Sequence, residues 1–236
     1  MQHEVLIERF FTALISGDRT ASRAIVDEVL DADCPADAII NKLMWPTLEH
    51  IHTLHRADQL SNIAHNYATR LLRNFVEQMQ MRLEQKQRRN KNVLLVSGPE
   101  EPEEISGLIA ADLLEADGYN VMFAGGGIAN DEIIEQVGEL NIDVLVVFGA
   151  AASTVPFTRV LIDKLRDIGV CPNMQIAVGG GVFNRAEGLA EEIGADVWAT
   201  TPDELVSELD EKSDRRMTAD QRTVGRRRRT KAQHAA

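Results

Sequence analysis

Cysteine is almost missing from this chain. Its two cysteines, Cys34 and Cys171, lie far apart with no metal-type spacing, which argues against a disulfide-stapled secreted domain and against a cysteine zinc site. No stretch approaches the roughly 18 to 20 apolar residues that a membrane-crossing helix needs. The start, Met1-Gln2-His3-Glu4, lacks the basic flank of a signal peptide, so a cytoplasmic protein with no membrane partner is expected. Catalytic signatures are missing as well: there is no Gly-X-Ser-X-Gly elbow, no P-loop lysine and no Cys-His pair of recognisable spacing. Gly125-Gly126-Gly127-Ile128-Ala129-Asn130 follows a strand-like run, yet it departs from Gly-X-Gly-X-X-Gly and does not follow the first strand. The chain is therefore not expected to be an enzyme, a dinucleotide-dependent one included.

Charge is unevenly spread. The net charge of -12 combines a body of about -18 with about +6 after Ser213, where Arg215, Arg216, Arg222, residues 226–229 (all arginine) and Lys231 face only Asp214 and Asp220. An acidic body repels nucleic acid, so any contact with RNA or DNA is expected only through the Arg-rich tail, without sequence specificity and sensitive to salt. That tail, taken as residues 212–236, has too few apolar residues to offset the entropy of ordering and reads as disordered.

Residues 1–84 carry helical periodicity throughout. Val5, Leu6, Phe10, Leu14 and Ile15 recur at three- and four-residue steps, and Ser16-Gly17-Asp18 then caps a second helix with Ala24, Ile25, Val29 and Leu30. Cys34-Pro35-Ala36-Asp37 opens a third helix through Ile39, Ile40, Leu43, Met44, Leu48 and Ile51, with Trp45-Pro46 marking a kink and Trp45 a core or cavity-wall position. A fourth is expected from about Ala57 to Arg88. Four helices with short connections predict an antiparallel bundle, and the polar residues 85–92 predict a linker.

From residue 93 to 211 the period changes. Val93-Leu94-Leu95-Val96, Asn120-Val121-Met122-Phe123, Val144-Leu145-Val146-Val147-Phe148, Gln175-Ile176-Ala177-Val178 and Asp196-Val197-Trp198-Ala199 are apolar runs of strand length, and helical patterns separate them. Five such units predict a flavodoxin-like, doubly wound parallel sheet of order 2-1-3-4-5 behind the helical cap, an α + α/β chain. Ligands of such sheets sit beyond the carboxyl ends of the strands. Those ends here are glycine-rich, which suits either close approach of backbone to a ligand or merely tight turns.

A helical cap followed by this sheet resembles the cobalamin-binding module of methionine synthase and, in layout, of the B12-dependent light-sensing repressors, over about residues 1–210. Members of that family carry Asp-X-His-X-X-Gly after strand one, Ser-X-Leu after strand three and Gly-Gly after strand four. The matching positions here hold residues 102–107, Gly149-Ala150-Ala151 and Gly179-Gly180, so only Gly107 and the Gly-Gly pair remain. The resemblance implies cobalamin, less readily a bilin or other tetrapyrrole, or no cofactor at all, held between cap and sheet. It makes His55, His65, Trp45, Glu104, Gly149, Ser153, Gly179 and Gly180 the candidate site.

The departures carry chemistry. Glu104 stands where the family's cobalt-ligating histidine would be, a hard oxygen donor that Co(III) accepts poorly beside imidazole. With Glu100, Glu101 and Glu103 it reads as a solvated, dipole-stabilising helix start. Gly149 replaces the serine that meets the family's displaced nucleotide tail, leaving Ser153 as the nearest hydroxyl. The small residues 149–152 are expected to leave room for that tail. In the cap, Leu54-His55-Arg56-Ala57 and Ile63-Ala64-His65 keep two histidines, weak candidates for upper-face cobalt ligands or ordinary polar positions near a helix junction. A zinc-type set that adds His50 and His52 lacks the spacing.

Three functions follow as expectations. The first is a sensory or regulatory protein that changes self-association or a partner surface when its cofactor or light acts. The second is a corrinoid methyl carrier for a methyltransferase, and the third a cofactor-free interaction module. A homo-oligomer or a regulatory protein partner is expected.

Overall fold

The computed structural model describes residues 2–217, and the chain divides into two compact units between Lys86 and Gln87. The expected basic tail lies, from residue 218 on, outside the described residues.

The first unit is helical. Helix α1 (Gln2–Ile15) ends at Gly17, whose φ of +72° is open to glycine, and Asp18 then caps α2 (Arg19–Asp31) by accepting from the Thr20 and Ala21 amides at 3.0 and 2.9 Å. The third helical stretch is not uniform. Helix α3 (Ala36–Ile39) runs into a π-helical turn (Ile40–Met44) and then α4 (Trp45–Arg56). Pro46 has no amide hydrogen and its ring crowds the carbonyl four residues back, and the wider turn falls immediately before it. Trp45 is buried and belongs to the core. The fourth long helix is shorter than its periodicity predicts: α5 spans Asn62–Gln80. Asp58 turns the chain at φ 55°, and the Ser61 hydroxyl caps the new start through the Ala64 amide. Phe10, Leu14, Ile40, Met44, Leu48, Ile51, Leu72 and Met79 are almost wholly buried and form the centre of the bundle.

The second unit alternates strand and helix: β1 (Asn92–Val96), α6 (Glu101–Ala116), β2 (Asn120–Gly125), α7 (Asn130–Glu139), β3 (Val144–Phe148), α8 (Val155–Ile168), β4 (Gln175–Gly179), α9 (Leu189–Ile193), β5 (Val197–Ala199) and α10 (Pro202–Glu211). All strand pairs are parallel and the order is β2-β1-β3-β4-β5, as expected from the sequence. Side chains alternate between the faces. Leu94, Val96, Leu145, Val147, Ile176 and Val178 pack with Ile133, Val137, Leu161, Ile162 and Leu165 of α7 and α8. Leu95 and Phe123 face α6, where a Cβ on Gly107 would press on both.

The amino edge of the sheet is tied down by charge. Arg89 donates to the Asp117 carbonyl at 2.7 Å, pairs with Asp210 and lies over the Tyr119 ring at 5.0 Å. Asp196, fully buried, accepts from Arg166 and from the Ile176 amide, both at 2.8 Å, and from the Met217 amide. Gln175 Nε2 donates to the carbonyls of Lys212 and Arg215, so residues 212–217 are laced to β4.

Candidate functional site

The carboxyl edge is built from the turns after β1, β2, β3 and β4. Pairing of β1 with β2 slips at Leu95/Val96, so that Val96 faces Gly125, and the Ser97 amide donates to the Gly125 carbonyl at 2.9 Å. Such a slip twists the end of the strand and re-aims the loops that follow.

The glutamate loop after β1 begins α6, as expected, but one of its carboxylates is not solvated. Glu103 is only 3% exposed, and its carboxyl reaches back to accept the Glu100 amide at 3.2 Å. Burial is the main cause that pushes this carboxyl above the ordinary range, and the Glu100 charge adds to it; the Glu100 amide and the Arg185 guanidinium oppose the shift. A side chain on Gly98 would collide with this carboxyl, which explains the glycine by packing. Glu104 is partly exposed, and its carboxyl lies toward Gly125.

Gly149 does not leave the expected room. Its φ is +78°, and a Cβ there would stand 2.7 Å from the Glu103 carbonyl oxygen and 2.8 Å from the Ser106 Cβ. Gly179 and Gly180 receive the ring of Phe148, itself wholly buried; Cβ atoms on them would fall 2.6 and 2.9 Å from that ring. At these three glycines, then, protein atoms pack too closely for a side chain. Ser153 lies exposed on a short turn (Ala152–Thr154) that leads into α8. At Gly127, by contrast, a Cβ would meet nothing within 4 Å.

The opposite side of the sheet is open. A cavity of about 740 Å³ lies where β1 and β3 end beneath the first turns of α7 and α8, floored by Val96, Val147 and Ala150 and walled by Ile128, Pro156 and Phe157. Sequence reading missed it. Phe157 and Val160 at the start of α8 have ordinary helical spacing in the sequence, and only the fold shows them exposed, Phe157 to 68%.

In the helical unit His55 and His65 are brought together. Their rings stack with centroids 3.8 Å apart and planes 18° from parallel, and His55 Nε2 lies 3.0 Å from the Asn62 side-chain oxygen. His65 is buried on α5, while His50 packs edge-on against Phe11 at 4.7 Å. Among the described residues no three His, Cys, Asp or Glu side chains converge as a metal-binding group, and no helix is long and apolar enough to cross a membrane.

Comparison with known proteins places both units. Two family models, each described as a B12 binding domain, match residues 91–209 and residues 6–78. Dimethylamine corrinoid protein 1 of Methanosarcina acetivorans is 24% identical over 213 residues, 89% of this chain and 99% of that protein. Dimethylamine corrinoid protein 3 of Methanosarcina mazei is 27% identical over 124 residues, 52% of this chain and 73% of its own length. Among solved structures, the monomethylamine corrinoid protein of Methanosarcina barkeri aligns with a TM-score of 0.65 at 16% identity, covering 86% of this chain and 96% of that one, a likeness of fold. The specific kinship to light-sensing repressors that the cap motifs suggested finds no support in these matches. With a B12-binding model matching residues 91–209, half of the chain, and a second matching residues 6–78, the chain belongs to the B12-binding domain family.

Proposed function

We propose that this chain is a corrinoid carrier, holding a cobalamin-type cofactor at the carboxyl edge of its sheet and presenting it to a methyltransferase partner. The observation that carries this reading is the match along 99% of the length of a dimethylamine corrinoid protein. The sensory reading is less favoured, since His55 and His65, two of the residues that motivated it, stack on each other and His55 lies beside Asn62. The names of the relatives point to methylated amines as the source of the methyl group.

The residues present fit part of such a cofactor. The open backbone at Gly127 and the slipped end of β1 let a broad, flat molecule lie against the edge. A cobalt held by a protein nitrogen from the loop after β1 does not fit, because Glu104 offers a carboxylate there and Glu103 is turned inward. Close packing of Phe148 and the Glu103 carbonyl on Gly149, Gly179 and Gly180 argues against a nucleotide tail lying on those three glycines. The macrocycle's metal would supply the methyl-transfer chemistry. The protein's own share is to bind, to orient and to exclude water with the apolar residues around the edge.

The test is retention. Full-length protein mixed with hydroxocobalamin and desalted is expected to keep visible absorbance at close to one cobalt per chain. Colourless protein with full loss of cobalt would overturn the carrier reading. Methyl transfer from methylamines to a thiol acceptor, dependent on the loaded chain and a methyltransferase, would then define its place in the reaction.

A further inference from the structure

The helical unit has a groove of its own. It runs between the start of α2 and the second half of α5, with a volume of about 460 Å³. Leu71 and Phe75, both buried, form its floor, and Met81, 89% exposed, stands at its end. From residue 71 to residue 81 the groove follows α5 for about 15 Å at the rise of a helix. An apolar strip of that length, left open to water, is suited to an apolar cover.

The rim adds charge and hydrogen-bond donors. Arg19 and Arg23 stand four residues apart on α2, so both side chains rise from one face. Across the groove α5 contributes the side-chain amides of Asn74 and Gln78, again four residues apart. Among the described residues none of these four side chains has a hydrogen-bond or ion-pair partner, whereas Arg9 of α1 is held by Glu28 at 2.8 Å. The amides at the start of α2 are already taken, with Asp18 accepting from Thr20 and Ala21, so a ligand meets side chains and not the helix end. Glu77 is the one carboxylate among the lining residues, and against two guanidinium groups it leaves a single net positive charge. That balance matches a monoanion better than a dianionic phosphate. A guanidinium also presents paired N–H donors at the spacing of two carboxylate oxygens.

We propose that this groove binds the free anion of an alkanoic acid, its carboxylate on Arg19 and Arg23 and its chain laid along Leu71, Phe75 and Met81. The amides of Asn74 and Gln78 donate to the oxygen lone pairs that the guanidinium groups leave. Met81, unbranched and adaptable, packs against the far end of the chain. The site stands apart from the carrier reading, because it uses none of the residues at the carboxyl edge of the sheet.

The experiment uses the full chain, isotope-labelled in its methionine methyl groups, and decanoate kept below its micelle-forming concentration. Among the seven methionines the resonance of Met81 is identified by its loss in Met81→Leu. A saturable shift of that resonance with decanoate is expected. Arg19→Gln combined with Arg23→Gln is expected to weaken binding by about tenfold or more. Both positions are exposed, and an unchanged urea midpoint reports that the variant is folded. Glu77→Gln, which removes the repelling carboxylate, is expected to tighten binding by about threefold. Decyltrimethylammonium, with the same chain and a cationic head, is expected to leave Met81 unmoved.

No saturable shift with decanoate overturns the site. Equal binding of decanoate by the double variant, or of the cation by the parent, overturns it too, since either reduces the groove to an apolar contact. Phosphatidylglycerol vesicles supply the last comparison. Co-sedimentation of the chain with them, without a response to decanoate, would put a membrane surface in place of the free acid and overturn the proposal.

Discussion

The imidazoles of His55 and His65 lie face to face, 3.8 Å between centroids, one at the end of α4 and one on the buried side of α5. The pair therefore joins two helices across a loop. Replacing His65, 7% exposed, with alanine is expected to lower the stability of the helical unit by about 1–3 kcal/mol. A double-mutant cycle with His55→Ala in urea should return a coupling of about 0.5–1.5 kcal/mol. Additive losses would show that the stack contributes nothing.

Asp196 has no exposure and holds Arg166, the Ile176 amide and the Met217 amide. Asp196→Ala leaves a partly buried guanidinium and two backbone donors without their acceptor, and a loss of about 3–5 kcal/mol is expected. The measurement is the urea midpoint at constant m-value.

Glu103 predicts a pH dependence of the opposite sign to the usual carboxylate. Its folded-state pKa lies above the unfolded one because burial disfavours the charge, so the folded state binds more protons and this group's contribution falls as pH rises. The deficit is absent below the unfolded value and complete above the folded one. Glu103→Gln, which keeps an oxygen for the Glu100 amide, should raise the unfolding midpoint at neutral pH and lose that advantage below about pH 4.

Gly149→Ser puts back the residue type that the family carries after strand three. Here it is expected to destabilise by about 1–3 kcal/mol, because the backbone sits at φ +78° and the new Cβ would meet the Glu103 carbonyl. Thermal melting of Gly149→Ser beside Ala150→Ser, whose backbone φ is not in the left-handed region, separates the local strain from the effect of a hydroxyl.

Much of the architecture was legible because it rests on period. Val144-Leu145-Val146-Val147-Phe148 is too apolar and too short for anything but a buried strand, and the helices between the five runs call for parallel pairing in a doubly wound sheet. The start of α5 was not, since Leu60 and Ile63 continue a helical pattern across a turn that only Asp58 and the Ser61 cap reveal. Burial of Glu103 was hidden for a different reason: among four glutamates nothing local distinguishes the one whose carboxyl folds back under Gly98. The cavity was hidden because Phe157 and Val160 have ordinary helical spacing, and only the packing of α7 against α8 decides that they do not meet a neighbour.

The lacing of residues 212–217 gives the Arg-rich end a fixed root. Shortening the chain to end at Glu211 would remove the carbonyls that Gln175 binds and the Met217 amide that Asp196 binds, and with them support for β4 from outside the sheet. Trimming at residue 217 spares those bonds. A cut between Glu211 and Lys212 would therefore strip β4 and Asp196 of three partners at once.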